Sequence, residues 1–263
     1  GMSLEGAPGA SSRYHPALWG STLLCLASAI ACLLFGHSGD HDIDWVQRGI
    51  STFAANAPRD DWVTASIFLF ALCSVLLGLM LSLTGPLRHR LSAHVASMLL
   101  GSTAVGLCMV AWFEEVRNHP PRGYDAVRQQ TFHDAGVMTF FFCALMALVV
   151  LGTSCLLCPP SSSAVGGRGD DGRHSSFLGA RTQAWAERLL GLVLIGITPL
   201  TSAIKDRNWT GRLLGLPGAA MGLRQRTSFA VLGTGLLLAT LLLRPSHLCG
   251  VCTSGRDDKP KVE

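Results

Sequence analysis

Six apolar stretches, at residues 18–36, 62–84, 92–113, 132–157, 189–204 and 227–243, set the terms for any fold this chain can adopt. Each is close to the ~20 residues that a helix rising 1.5 Å per residue needs to cross a hydrocarbon layer about 30 Å thick. Inside such a layer every peptide group must be satisfied within its own segment, which selects helices over open strands. The charges agree with this reading: 14% of residues are charged against 49% hydrophobic, and the charged ones fall almost wholly between the apolar runs. A soluble helical domain would spread them along every helix. The expected fold is therefore an all-α integral membrane protein, a six-transmembrane-helix bundle with both termini on one face.

The connecting segments divide the chain further. Residues 1–17 read as a flexible N-terminal tail, 18–157 as transmembrane helices one to four, and 158–187 as a flexible linker. Residues 188–244 read as helices five and six with an interfacial outer segment, and 245–263 as a C-terminal tail. The linker assignment rests on the run PPSSSAVGGRGDDGR from Pro159 to Arg173, which has too little apolar surface to form a core. The first apolar run is long and lacks a small-x-small cleavage site before His37, so it reads as a retained span and not as a signal peptide. Lys and Arg divide almost evenly between the two sides of a six-span topology. Arg88 and Arg90, in a very short turn, place that turn and both termini in the cytoplasm. A net charge of +4 on dispersed basic residues does not describe a nucleic-acid groove, so the expected partners are the lipid bilayer and other membrane proteins.

Several short motifs sit at the ends of these runs. The segment HSGDHDIDWVQRGISTFAANAPRDDW, from His37 to Trp62, opens polar, carries the pair Ile50-Ser51, and approaches the second span through alanines. Ala111, Trp112 and Phe113 close the third span, His133 within FHDAG opens the fourth, and Glu187-Arg188 opens the fifth. The run Gly222, Leu223, Arg224, Gln225, Arg226 leads into the sixth. Together these resemble the six-span membrane family catalogued as domain of unknown function 998. The resemblance covers most of residues 18–243 and implies a six-helix bundle with no established reaction.

Two constellations carry chemistry. Cys155 with Cys158, and Cys249 with Cys252, are CxxC pairs that follow even-numbered spans and so share the expected cytoplasmic face. Four thiolates with this local spacing suit tetrahedral zinc, but a long stretch of chain separates the pairs, and Pro159-Pro160 and Gly250 favour turns. The expectation is small residues at helix ends and not a zinc site. The second constellation is a set of imidazoles and carboxylates on the opposite face: His37, His41, Asp44, Glu115, His133 and Asp134. Such groups bind divalent metals or move protons, yet no HExxH, GxSxG, Walker or dinucleotide pattern accompanies them. A hydrated loop surface is the simpler reading, with His133 and Asp134 the better candidates because polar groups entering a span need partners. His94 and His133 fall at opposite ends of their spans, which does not suit a bis-histidine haem, and no cofactor is expected.

Gly101 with Gly106, and Gly191 with Gly196, permit close helix approach without GxxxG spacing. Residues 205–226, with Trp209 among Arg207, Arg212, Arg224 and Arg226, suit the membrane interface. Without an ionisable route through mid-span or a catalytic set, the expected role is a non-enzymatic accessory or scaffold subunit of a membrane assembly. The alternatives are a small-solute or lipid transporter, which needs a polar cavity at the midplane, and a membrane enzyme with an outer-face His/Asp site.

Overall fold

The computed structural model describes residues 11–38, 50, 60–84, 90–113, 124–157, 185, 188–201 and 221–242. Among them the chain is all-helical. Six helices follow in order: α1 (Ser11–His37), α2 (Asp60–Thr84), α3 (Arg90–Trp112), α4 (Tyr124–Leu157), α5 (Arg188–Thr201) and α6 (Met221–Leu242).

Four of these are long and apolar enough to cross a membrane, at Pro16–His37, Asp60–Leu83, Leu91–Trp112 and Asp125–Leu157. At 1.5 Å per residue the shortest of the four stretches spans roughly 33 Å, enough for the hydrocarbon core. The chain is thus a multi-pass membrane protein. The described part of α5 has 14 residues, or roughly 21 Å of helix. α6 is longer and begins six residues before the apolar run at 227, so the run Gly222–Arg226 forms its first turns. α4 likewise begins at Tyr124, about two turns before the apolar run at 132, because a helix continues through polar residues as readily as apolar ones.

Helices adjacent in sequence pack side by side, α1 on α2, α2 on α3 and α3 on α4, while α6 returns to lie against α1 and α4. Their shared interior is built from large aliphatic side chains, with Ile67, Leu77, Leu100, Leu107, Leu148 and Leu232 fully buried. Lipid offers apolar side chains nearly the same environment as this core, so close packing and interhelical hydrogen bonds must hold the bundle together.

Glycines supply the close packing. A Cβ placed on Gly106 of α3 would lie 2.6 Å from the Phe140 nitrogen and 2.7 Å from the Gly136 oxygen of α4. The reciprocal Cβ on Gly136 would lie 2.9 Å from the Gly106 oxygen. Gly152 and Gly191 bring α4 and α5 together in the same way, each virtual Cβ falling 2.7 to 2.8 Å from the other residue's oxygen. Gly101 and Gly196 have open space where a Cβ would be. The close contacts therefore pair Gly106 and Gly191 with glycines on neighbouring helices.

Hydrogen bonds tie helix to helix at several levels. Ser66 on α2 donates to the Ala29 carbonyl on α1 at 2.7 Å, and Ser82 on α2 meets Ser97 on α3 at 2.9 Å. The indole N–H of Trp19 donates to the Thr240 carbonyl at 3.1 Å, joining the start of α1 to the end of α6. Most remaining buried hydroxyls are spent on their own helix: Thr103, Thr201 and Thr240 each donate to the carbonyl four residues earlier.

Candidate functional site

Polar side chains converge at the end of the bundle where α1 finishes, α4 approaches the membrane and α6 begins. His37 is the last residue of α1, and Arg226 lies one turn into α6, just ahead of the apolar run. The imidazole Nδ1 of His37 is 2.7 Å from the Leu33 carbonyl oxygen, and its Nε2 is 2.9 Å from Nη2 of Arg226. Burial lowers the Arg226 guanidinium from its ordinary value to about 10, so it remains charged at neutral pH.

Beside this pair, Gln225 accepts the backbone N–H of Ile50 through Oε1 at 2.9 Å. Ile50 is buried against Val63, with Leu33 and Phe229 packed around them. Gln225 supplies the polar wall of a cavity of about 20 Å³, otherwise lined by Ile50, Ile67, Val110, Val137 and the aromatic group of Phe140, Phe141 and Phe229. That volume holds roughly one water, which needs two to four polar partners. Only the Gln225 amide among the lining side chains offers one. Phe229 anchors the group, with its ring 5.0 Å from Phe140, 5.9 Å from Phe141 and 6.3 Å from Phe70.

His133 forms a second polar centre. It is 3% exposed, and its Nδ1 is 2.6 Å from the Phe113 carbonyl oxygen at the end of α3. A carbonyl can only accept, so Nδ1 carries the proton in the neutral ring and Nε2 holds the lone pair. The Phe113 and Phe132 rings stack at 4.9 Å, and the Arg128 guanidinium sits 5.6 Å above Phe132. Asp134 accepts from the Gln130 amide at 2.8 Å.

Of the six polar residues expected from sequence, His37, His133 and Asp134 are described, while His41, Asp44 and Glu115 lie outside the described residues. The structure gives the three different partners: Arg226 and Leu33 for His37, Phe113 for His133, and Gln130 for Asp134. The hydrated-surface reading does not hold for His133, which is buried with its Nδ1 against the Phe113 carbonyl at the end of α3. No group of three or more His, Cys, Asp or Glu residues suited to a metal occurs among the described residues. Of the CxxC cysteines only Cys155 is described; it packs at the α4–α5 contact, 3.0 Å from a virtual Cβ on Gly191. Cys158, Cys249 and Cys252 lie outside the described residues.

These contacts join short motifs that are far apart in sequence. Ile50 meets Gln225 across 175 residues, and Phe113 meets His133 across 20. A comparison of the chain with known families matches residues 23–168, more than half of its length, to the family described as Protein of unknown function (DUF998). The chain belongs to this family. The DUF998 match begins within α1, takes in α2, α3 and α4, and stops before α5 and α6. His37, Ile50, Phe113 and His133 fall inside the DUF998 region, whereas Gln225 and Arg226 fall outside it. No curated protein and no solved structure matches the chain.

Sequence reasoning missed Gln225 as a structural acceptor and treated Arg226 as an interfacial flank. The signal was present in the run Gly222–Arg226, whose polar residues sit within the first turns of a helix and so must find partners or face water.

Proposed function

We propose that this chain is a non-enzymatic integral membrane subunit that scaffolds a membrane assembly, with six spans and both termini in the cytoplasm. Support for six spans comes from the two ties between α1 and α6: His37 at the end of α1 meets the start of α6, and Trp19 near the start of α1 meets its end. The two helices therefore run antiparallel, as first and sixth spans do.

The observation that carries the scaffold reading is the exposure of α1. Only 17% of its apolar window is buried within the bundle, against 56% for α2. The outward side of α1 presents Gly20, Ala27 and Ala31 between Leu24, Ile30 and Leu34, and a Cβ on Gly20 would meet nothing within 4 Å. Small residues on a membrane helix let a second helix approach closely. Purification in native lipid, with identification of co-purifying chains, tests this role. A stoichiometric partner lost in Gly20→Leu or Ala31→Leu variants that retain wild-type thermal stability is expected. A single species without a partner contradicts it.

His133 favours a second reading, a membrane enzyme acting at the outer face, because its anchored Nδ1–H leaves Nε2 as a directed proton acceptor. Loss of turnover in His133→Ala with retained folding would support that reading over the first.

A further inference from the structure

α4 carries two opposite charges in an order that matches a phospholipid headgroup. Asp125, Arg128, Phe132, Ala135, Phe142 and Met146 are all exposed, and their spacings of three, four and seven residues put them on one face of the helix. The level of the membrane beside them is fixed by two helices. The apolar runs of α3 and α4 meet this side at 113 and 132, and the bond from His133 to the Phe113 carbonyl holds the two ends together. Trp112, 76% exposed at the end of α3, sits at the same level, where lipid-facing indoles collect. Arg128 lies four residues, or about 6 Å, outward of Phe132, and Asp125 lies about 4.5 Å beyond that. A headgroup layer reaches roughly 5–7 Å past the hydrocarbon, so the guanidinium stands at phosphate depth with the carboxylate above it.

Neither charge is neutralised by a neighbour. Among the described residues Arg128 and Asp125 form no ion pair, although three residues along a helix is a spacing at which such pairs meet. Arg128 instead sits over the Phe132 ring, 5.6 Å away, because Phe132 leans toward the N-terminus of its helix and covers the turn before it. Stacking on Phe113 steadies that ring, and the guanidinium keeps its hydrogen-bond donors free among the described residues. A place in the first turn accounts for an acid at 125, but not for an unpaired cation one turn beneath it.

We propose that this face of α4 binds a zwitterionic phospholipid, with the phosphate on Arg128, the ammonium group on Asp125 and an acyl chain along Ala135, Phe142 and Met146. Guanidinium and phosphate match in charge and in geometry, and the carboxylate further out meets the amine that follows the phosphate by a two-carbon bridge. An anionic glycerol headgroup offers Asp125 no cation. The site is independent of the scaffold and enzyme readings, since it concerns only the lipid-facing side of one helix.

Native mass spectrometry of the full chain, released from nanodiscs holding phosphatidylethanolamine and phosphatidylglycerol in equal amounts, tests the site. The parent protein is expected to retain phosphatidylethanolamine in preference. Arg128→Gln should lower that retention about fivefold, the contribution of one basic side chain at a lipid surface. Asp125→Asn should abolish the preference by admitting phosphatidylglycerol. The decisive variant combines Asp125→Arg with Arg128→Asp, which keeps the net charge and inverts the order of the charges. It is expected to lose the preference while keeping wild-type thermal stability in detergent. Equal retention of both lipids by the parent, or a preference that survives the exchange, would overturn the proposal, because a helix end that merely faces lipid responds to net charge and not to order. Asp125→Asn changes one exposed side chain without changing its shape, so it decides the amine contact even if the exchanged pair does not fold.

Discussion

Gly106→Ala is expected to destabilise the bundle although alanine is the better helix former. The substitution gains about 1 kcal/mol of helix propensity. Against that, the new methyl group would sit 2.6 to 2.7 Å from backbone atoms of α4, which cannot rotate away as a side chain can. Restoring ordinary van der Waals separation requires α3 and α4 to part by about 0.7 Å, which loosens the packing of Leu107, Val110 and Phe140 around them. Overpacking of this kind costs about 1–3 kcal/mol, and relaxation along the whole contact places this site at or above the upper end. The net loss is then about 2 kcal/mol or more, a factor of roughly 30 or more in the folded-to-unfolded ratio. Gly101→Ala, one and a half turns away on the same helix with open space around it, supplies the control and should match or exceed wild type. Reversible unfolding in mixed micelles measures both. A Gly106→Ala protein as stable as Gly101→Ala would refute the claim that backbone contact at Gly136 holds α3 against α4.

Three further substitutions probe the polar contacts. Ser66→Ala removes the interhelical bond to Ala29 and should cost about 0.6 kcal/mol, the usual worth of such bonds in membranes, measured in the same unfolding assay. Ser228 is fully buried and its hydroxyl has no hydrogen-bond partner among the described residues, so Ser228→Ala should be neutral or stabilising by up to about 1 kcal/mol; a loss would reveal an acceptor. His133→Ala should cost about 1–3 kcal/mol through the lost bond to Phe113, with partial recovery in His133→Asn, whose amide can still donate; equal loss in both would mean that ring packing, and not the bond, is what matters.

The apolar runs made the first four helices legible, because hydropathy reports what lipid demands and lipid acts on each span separately. α4 shows the limit of that signal. Residues 124–131 are polar enough to read as a loop, yet they continue the helix, so His133 lies well inside α4 and not at its start. The glycine contacts were half legible: Gly106 and Gly191 stood out, but their partners Gly136 and Gly152 lie on other helices, and spacing along one helix cannot name a neighbour across a gap. The polar end of the bundle was legible as a list of residues and not as a geometry. His37 and Arg226 are 189 residues apart, and only the return of α6 to α1 makes them neighbours. The resemblance on short motifs named the right family, although the matched region ends at residue 168, before the Gly222–Arg226 run.

The most direct test of the account is the sidedness of the helix ends, read with a membrane-impermeant thiol reagent on single cysteines at positions 38, 113, 224, 83 and 157 in sealed vesicles. The antiparallel bundle expects 38, 113 and 224 to label from one side, and 83 and 157 only after the vesicles are opened. Labelling of 38 and 224 from opposite sides would contradict the account, because it would separate His37 from Arg226 and remove α6 from its place beside α1.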